Sequence, residues 1–315
     1  MLETKIKSVE DAKKMSVVEV LLNGYFSIDK IFDCGQCFRF DKVINTIHQS
    51  EYSGVAFGRF VSFAQDDNKL YIYNSTQEEF DSLWRHYLAL DCDYALIEEN
   101  ILSKSDNNDL KKAIDYSRGI RILNQERWEA VCSFIISQNN NIPRIKKIIE
   151  NLSNRCGTPI NISEELEAHV CPQSSLCAFP TPEQILEIGI EGLVELKTGF
   201  RSKYIYDAAE KVVSGEIDIN LIDELSTDKA IEYLCKVKGI GPKVASCALL
   251  FGFEKYDAFP IDVWIKKVIS KYFINDNCPT FDSSTLGEYA GIAQQFLFYY
   301  ERYGGYKDNE KEQQT

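Results

Sequence analysis

The feature that most narrows the fold of this chain is a change of hydrophobic period partway along it. From Ser16 to about Asn74, apolar and polar residues alternate in short runs, as in Val55–Phe63 and Lys69–Tyr73, which is the period of a half-buried β-strand. The stretch Gln65–Asn68 between those two runs has the composition of a hairpin turn, and Cys34-Gly-Gln-Cys37 punctuates two further runs. An antiparallel sheet is the expectation. After Gln77 the spacing becomes helical, with Phe80, Leu83, Trp84 and Tyr87 on one face. A polar stretch at Ser103–Asp109 interrupts the helical signal. From about Gly119 the chain reads as helices joined by short Gly, Pro and Asn breaks, with a loop-rich connection at Thr158–Pro182 and a polar tail from Gly304 that is expected to fray. The fold class predicted is α+β: an antiparallel β-sheet domain with flanking helices over 1–117, and a larger α-helical domain over 118–315.

Composition limits what such a chain can do. The 315 residues are 44% hydrophobic and 26% charged, close to ordinary soluble proteins, which excludes wholesale disorder and fibrous architectures. No apolar run is long enough to cross a bilayer and the first residues lack the apolar core of a secretory signal, so a cytoplasmic protein that makes no membrane contact is expected. The ten cysteines are scattered through a chain large enough to need no disulfides and read mostly as reduced core residues. A net charge of −13 argues against gripping nucleic acid by bulk attraction, because that attraction comes from neutralising phosphates with Lys and Arg. Any nucleic-acid function must rest on local sites.

The sharpest local signal is Leu234–Ser246. It reads as a helix, a tight turn at Gly239-Ile-Gly241, and a second helix opened by Pro242, a residue suited to a first helical turn. Two glycines let backbone pass close to a ligand, and the free N–H groups at the second helix's start can hold a phosphate without net positive charge. An ordinary Gly-containing helical turn would have the same composition. Downstream, Asp262 follows Pro260 at the start of an apolar-faced helix, where a carboxylate can simply cap the helix. Cys34 and Cys37 have the spacing of half a zinc site or a redox pair, but no second Cys pair or paired His lies nearby. Neither a metal nor a cofactor is expected.

Taken together, the hairpin and the aspartate nineteen residues after Lys243 resemble the helix-hairpin-helix DNA glycosylase superfamily. Lys243 stands where bifunctional members carry a nucleophilic lysine. Members that bear a four-cysteine iron–sulfur cluster after the aspartate are a poor match, since only Cys278 follows Asp262. Further segments resemble the 8-oxoguanine DNA glycosylase/AP lyase family. The resemblance implies that Gly35 in Phe32–Arg39 offers the carbonyl that accepts the N7 hydrogen of oxidised guanine. It implies that Asn139 in Phe134–Ile145 fills the vacated stack, with Arg144 on the orphaned cytosine. In Leu196–Tyr204, Phe200 takes the place of the wedge and Arg201 that of the second cytosine-reading arginine. In Tyr289–Phe298, Gln294 would hydrogen-bond the flipped base and Phe298 stack on it, with Cys247 on the base's other side. One departure stands out: Trp264 occupies a position where eukaryotic relatives carry histidine.

Base-excision repair is therefore the expected function: a monomer removes 8-oxoguanine opposite cytosine from double-stranded DNA, with an associated AP lyase step and Lys243 and Asp262 as the catalytic pair. The lysine is expected to have its pKa lowered by burial and by the helix start. Two other functions share many of these residues. Alkylated-base glycosylases have the fold and the aspartate, and a non-catalytic protein could use the hairpin for phosphate contact alone. His48, His86 and His169 match no catalytic position, which leaves a Ser-His or Cys-His hydrolase unsupported.

Overall fold

The structure, a computed structural model, describes residues 4–5, 16–274 and 280–304. Cys278 and the tail after Gly304 lie outside the described residues.

The alternating segments form one antiparallel sheet of six strands, β1 (Thr4–Lys5), β2 (Val17–Leu21), β3 (Phe40–Lys42), β4 (Ser50–Ala56), β5 (Arg59–Asp66) and β6 (Lys69–Tyr73). Their spatial order is β1-β2-β6-β5-β4-β3. Both central hairpins are tight. Ala56 pairs with Arg59 across Phe57 and Gly58, and Asp66 pairs with Lys69 across the expected Asp-Asn turn. Phe57, Gly58 and Asp67 all have positive φ, the geometry that matches the right-handed twist of the flanking strands. The segment before the Gly-Gln turn departs from the strand expectation. It is a short helix, α1 (Ile28–Phe32), because Ser27 in extended conformation accepts a hydrogen bond from the Lys30 amide and starts a helical turn.

Helices account for the rest. The run from Gln77 to Tyr87 consists of α2 (Gln77–Glu79), a π turn and α3 (Arg85–Tyr87). It continues through α4 (Tyr94–Ser103), α5 (Asn108–Ser117), α6 (Arg127–Ser137), α7 (Ile142–Cys156), α8 (Pro182–Glu195) and α9 (Ser202–Val213). The last four are α10 (Thr227–Leu234), α11 (Pro242–Gly252), α12 (Val263–Tyr272) and α13 (Ala290–Tyr303). None of the described helices is long and apolar enough to cross a membrane.

Two main cores result. The sheet, α1 and the Gln77–Tyr87 run enclose an aromatic cluster in which Phe63 packs on Phe40, Trp84 and Tyr87, with ring centroids 5.6, 5.6 and 6.1 Å away. The second core holds α4 to α13. Core membership does not follow a division of the chain at residue 117, since α4 and α5 bury Ile97, Ile101, Leu110 and Ile114 in the helical core. Phe38, from the loop after α1, also belongs to the helical core, edge-on to Phe134 at 5.9 Å.

What fixes that loop is a buried amide. Gln36 is fully buried, and its Nε2 donates to the carbonyls of Ile31 (2.9 Å) and Arg121 (2.8 Å) while its Oε1 accepts from the Leu123 amide (2.8 Å). Its own carbonyl accepts from Gln125 Nε2 at 2.7 Å. Each bond replaces water for a group that has no other access to it. Replacing Gln36 by Leu leaves the Arg121 carbonyl and the Leu123 amide unpaired in a dry site, while the Ile31 carbonyl keeps the Cys34 thiol, so Gln36→Leu should lose about 2 kcal/mol of stability, read as a lower urea midpoint. The hairpin glycines should differ from each other in the same assay. Gly239 has φ +83, and a Cβ there would lie 2.3 Å from the Tyr204 ring. Gly241 has open space around it. Gly239→Ala is expected to cost about 2–4 kcal/mol and Gly241→Ala about 0.5 kcal/mol or less.

Candidate active site

Three elements bring reactive side chains to one cavity of about 240 Å³ between the sheet unit and the helices. α11 supplies Lys243 and, one turn on, Cys247; the start of α12 supplies Asp262; and α13 supplies Gln294 and Phe298. The loop after α1 adds Gly35. All six residues expected to act on the base or the sugar therefore line one pocket. Larger clefts, of about 760 and 1010 Å³, lie elsewhere and contain none of the expected residues.

Local sequence explains each placement. α11 begins at Pro242, and its cap position is Gly241, which has no side chain to satisfy the helix's first amides. Lys243 follows directly and is partly buried. Its side chain and the Cys247 thiol line the same pocket. Burial pushes that thiol's pKa up against the opposing pull of the lysine cation, so Cys247 is a packing surface rather than a thiolate nucleophile. Asp262 caps α12, with Oδ1 accepting from the Ile265 amide at 2.7 Å. Capping engages one carboxylate oxygen; the other accepts no hydrogen bond among the described residues. Capping and pocket-lining are thus compatible functions of one side chain.

Two acceptors in the pocket have no partner. Gln294 is 5% exposed, and its Oε1 is buried without a hydrogen bond. In the loop after α1, the Cys34 carbonyl accepts from Gln295 Nε2 (3.0 Å) and the Gln36 carbonyl from Gln125 Nε2 (2.7 Å). Gly35, between them at φ +77, accepts nothing among the described residues. A buried acceptor left unpaired costs free energy that a ligand's donor recovers. The neighbouring cysteines Cys34 and Cys37 are buried. Burial pushes the Cys34 thiol up to about 12 and Cys37 higher still, and no group of three or more metal-binding side chains occurs among the described residues.

A second cluster adjoins the pocket at the α6–α7 junction. Asn139 is exposed with φ +47, and Arg144 is exposed on the first turn of α7. Phe200 is 51% exposed. Arg201 differs from a surface charge. It is 3% exposed, and its guanidinium donates to the carbonyls of Gln138 (2.9 Å from Nε), Asn139 (3.1 Å) and Thr198 (3.3 Å). Its centre lies 4.4 Å from the Phe200 ring centroid. Burial, then the neighbouring Arg144 cation, lowers its pKa. Tyr204 links this cluster to the hairpin, edge-on to Phe200 at 5.8 Å and packed over Gly239.

The pocket also holds residues given no role from the sequence, among them Phe134, Asn140 and Arg302, together with Trp264, the departure noted above. Trp264 is 45% exposed at the mouth, with Lys267 Nζ 5.1 Å from its ring centroid. Arg302 lies one turn past Phe298 on α13. The repeat at 294, 298 and 302 was the available signal, because residues four apart share a helix face.

Comparison with known proteins agrees with this architecture. Residues 20–131 match the family model for the 8-oxoguanine DNA glycosylase N-terminal domain, and residues 132–284 that for HhH-GPD superfamily base excision DNA repair proteins. The 8-oxoguanine glycosylase/lyase of Clostridium acetobutylicum, solved with double-stranded DNA containing cytosine opposite 8-oxoguanine, is 35% identical. It superposes with a TM-score of 0.81 over 97% of this chain and 98% of that one. A protein described as MBOgg1, solved with a low-affinity DNA ligand, is 36% identical with a TM-score of 0.83 over 97% and 99%. A probable N-glycosylase/DNA lyase of Methanothermobacter thermautotrophicus is 28% identical over 67% of this chain and 72% of its own length. The protein belongs to the 8-oxoguanine DNA glycosylase/lyase family of base-excision repair enzymes.

Proposed function

We propose that this enzyme flips 8-oxoguanine, paired with cytosine in duplex DNA, into the pocket between α11 and α13 and excises it with Lys243 as nucleophile. The observation that carries the assignment of roles is the meeting of Lys243, Asp262 and two unpartnered acceptors, Gly35 O and Gln294 Oε1, around one cavity of about 240 Å³. A base in a duplex cannot be reached for chemistry, so it must leave the stack at a cost of a few kcal/mol.

Recognition follows from acceptor chemistry. The Gly35 carbonyl accepts the N7 hydrogen that oxidation puts on guanine. Guanine itself presents a lone pair there and leaves both acceptors facing each other unpaired. Gln294 Oε1 accepts from the amide edge of the same base, while Phe298 and Cys247 hold its two faces. Outside the pocket, Asn139 occupies the vacated stack and Phe200 wedges beside it. Arg144, exposed and free of carboxylate partners among the described residues, reads cytosine. Arg201 joins it after turning from the carbonyls it now binds. The unsatisfied amides at the start of α11, opened by Gly239 and Gly241, take a backbone phosphate.

The chemistry balances within the site. Lys243 Nζ, as a neutral amine, forms a bond to C1′ while the bond from C1′ to the base breaks, and the base leaves with the bonding pair and is protonated. The sugar ring opens to a Schiff base between Nζ and C1′. Loss of a proton from C2′ then expels the 3′ phosphate, which is the lyase step. Asp262 stabilises the positive charge that develops on the sugar and orients the lysine.

Borohydride traps such a Schiff base, so the wild-type enzyme should give a covalent adduct with an 8-oxoguanine:cytosine duplex and none with an unmodified duplex. Lys243→Gln should keep lesion binding and lose the adduct. Asp262→Asn should slow base release by about a hundredfold or more, with lesion affinity little changed. An adduct from Lys243→Gln would refute the nucleophile. Arg144→Ala should reduce discrimination against adenine, guanine and thymine opposite the lesion by about tenfold, measured as ratios of single-turnover rates.

A further inference from the structure

Along α13 the residues at 294, 298 and 302 form a series graded by depth. Gln294 is 5% exposed at the floor of the pocket, Phe298 is half-buried, and Arg302 is exposed at the mouth. Arg302 lies one turn past Phe298 on the same helix face and lines the same pocket. Arg302 and Lys243 are the cations among the residues lining this pocket. Arg302 forms no ion pair among the described residues, although Glu301 beside it is engaged by Lys271 (3.2 Å) and Tyr272 (2.8 Å).

Its position is built rather than left to solvent. The guanidinium centre lies 5.2 Å from the Tyr303 ring centroid. That ring is held by a hydrogen bond from its hydroxyl to the Asp33 carbonyl (2.9 Å) and by contact with Tyr299 at 4.6 Å. Asp33 is two residues before Gly35, so the platform under Arg302 is anchored to the loop that carries the Gly35 carbonyl.

We infer that Arg302 binds a backbone phosphate flanking the extruded nucleotide, at the mouth of the base pocket, with Tyr303 as its platform. This rests on the glycosylase function proposed above. A base seated between Cys247 and Phe298 leaves its sugar and phosphates at the rim, where the Asp262 carboxylate would otherwise repel them. A planar five-donor cation supplies the countercharge in a form that suits phosphate. The acidity of the chain makes such a single cation count for more than it would in a basic protein.

The test measures lesion binding by the full chain carrying Lys243→Gln, which prevents turnover, with and without Arg302→Gln. It uses an 8-oxoguanine:cytosine duplex and two others in which either phosphate flanking the lesion is replaced by a neutral methylphosphonate. On the native duplex Arg302→Gln should weaken binding about tenfold and reduce the slope of log affinity against log salt by about 0.9. Arg302→Lys should keep most of that slope. On one methylphosphonate duplex the Arg302→Gln penalty should fall below about twofold, because the charge partner is already gone. An equal penalty on all three duplexes, or none on any, overturns the inference, as does a loss explained by a lower melting temperature. Absence of a borohydride adduct from the wild-type enzyme would instead overturn the underlying function.

Discussion

A single buried amide determines where the Gly35 loop stands. The sheet unit and the helical unit have separate cores, and the peptide that must offer a carbonyl to the base runs between them. Gln36 ties that peptide at once to the end of α1, to the Arg121–Leu123 strand-like segment and, through its own carbonyl, to Gln125. Gln295 ties down the Cys34 carbonyl from α13. With the carbonyls on both sides engaged, the Gly35 carbonyl accepts no hydrogen bond among the described residues. Discrimination by one hydrogen atom requires this stiffness, since an acceptor free to move by an ångström could relax around guanine as well as around its oxidised form.

The same logic of fixed, uncharged groups resolves the conflict between a net charge of −13 and action on DNA. Helix-start amides, an unpaired glutamine oxygen, a glycine carbonyl and an exposed phenylalanine all make contacts that do not depend on counterion release. The cations of the proposed interface are placed singly: Lys243 and Arg302 in the pocket lining and Arg144 exposed at the junction. Non-specific affinity, which grows with the number of neutralised phosphates, is low in such an arrangement. A larger share of the binding free energy then comes from contacts that exist only when the base has left the stack.

Much of this was legible in the sequence, for identifiable reasons. Strand β6 follows from alternation and from the Asp-Asn turn before it, whose Asp67 tolerates positive φ, whereas β4 and β5 are buried almost throughout. The hairpin and Asp262 follow from Gly and Pro positions that a helix start demands. Gln294 and Phe298 share a face because they are one turn apart. What the sequence concealed depends on long-range partners. The Ile28–Phe32 segment lies inside the stretch read as strands, but its apolar residues 28, 31 and 32 have helical spacing and Ser27 caps them into a helix. Gln294 and Gln295 are chemically identical neighbours, and only packing decides that one enters the pocket while the other holds the Cys34 carbonyl. Arg201 reads as a surface charge until the left-handed turn at Asn139 aims carbonyls at it. Arg302 lies beyond the last quoted motif, and its depth relative to Gln294 and Phe298 is a property of the assembled helix.

Arg201 also bears on how the enzyme meets DNA. In the free protein its guanidinium closes the α6–α7 turn by binding the Gln138 and Asn139 carbonyls, and this turn presents Asn139. For Arg201 to read cytosine it must release those carbonyls, which become available to water or to the DNA. Asn139 must then hold its strained backbone by contact with the emptied stack rather than by Arg201. In the proposed complex, insertion of Asn139 and release of Arg201 would be coupled, since Arg201 binds the Asn139 carbonyl. Arg144 has no such constraint and can meet the DNA first. Its cation disfavours a second charge nearby, so the arriving phosphates and the cytosine edge that draw in Arg144 also relieve the repulsion that opposes bringing Arg201 out. In the proposed complex Arg144 would meet the cytosine before Arg201, because its guanidinium is exposed while that of Arg201 is held by carbonyls.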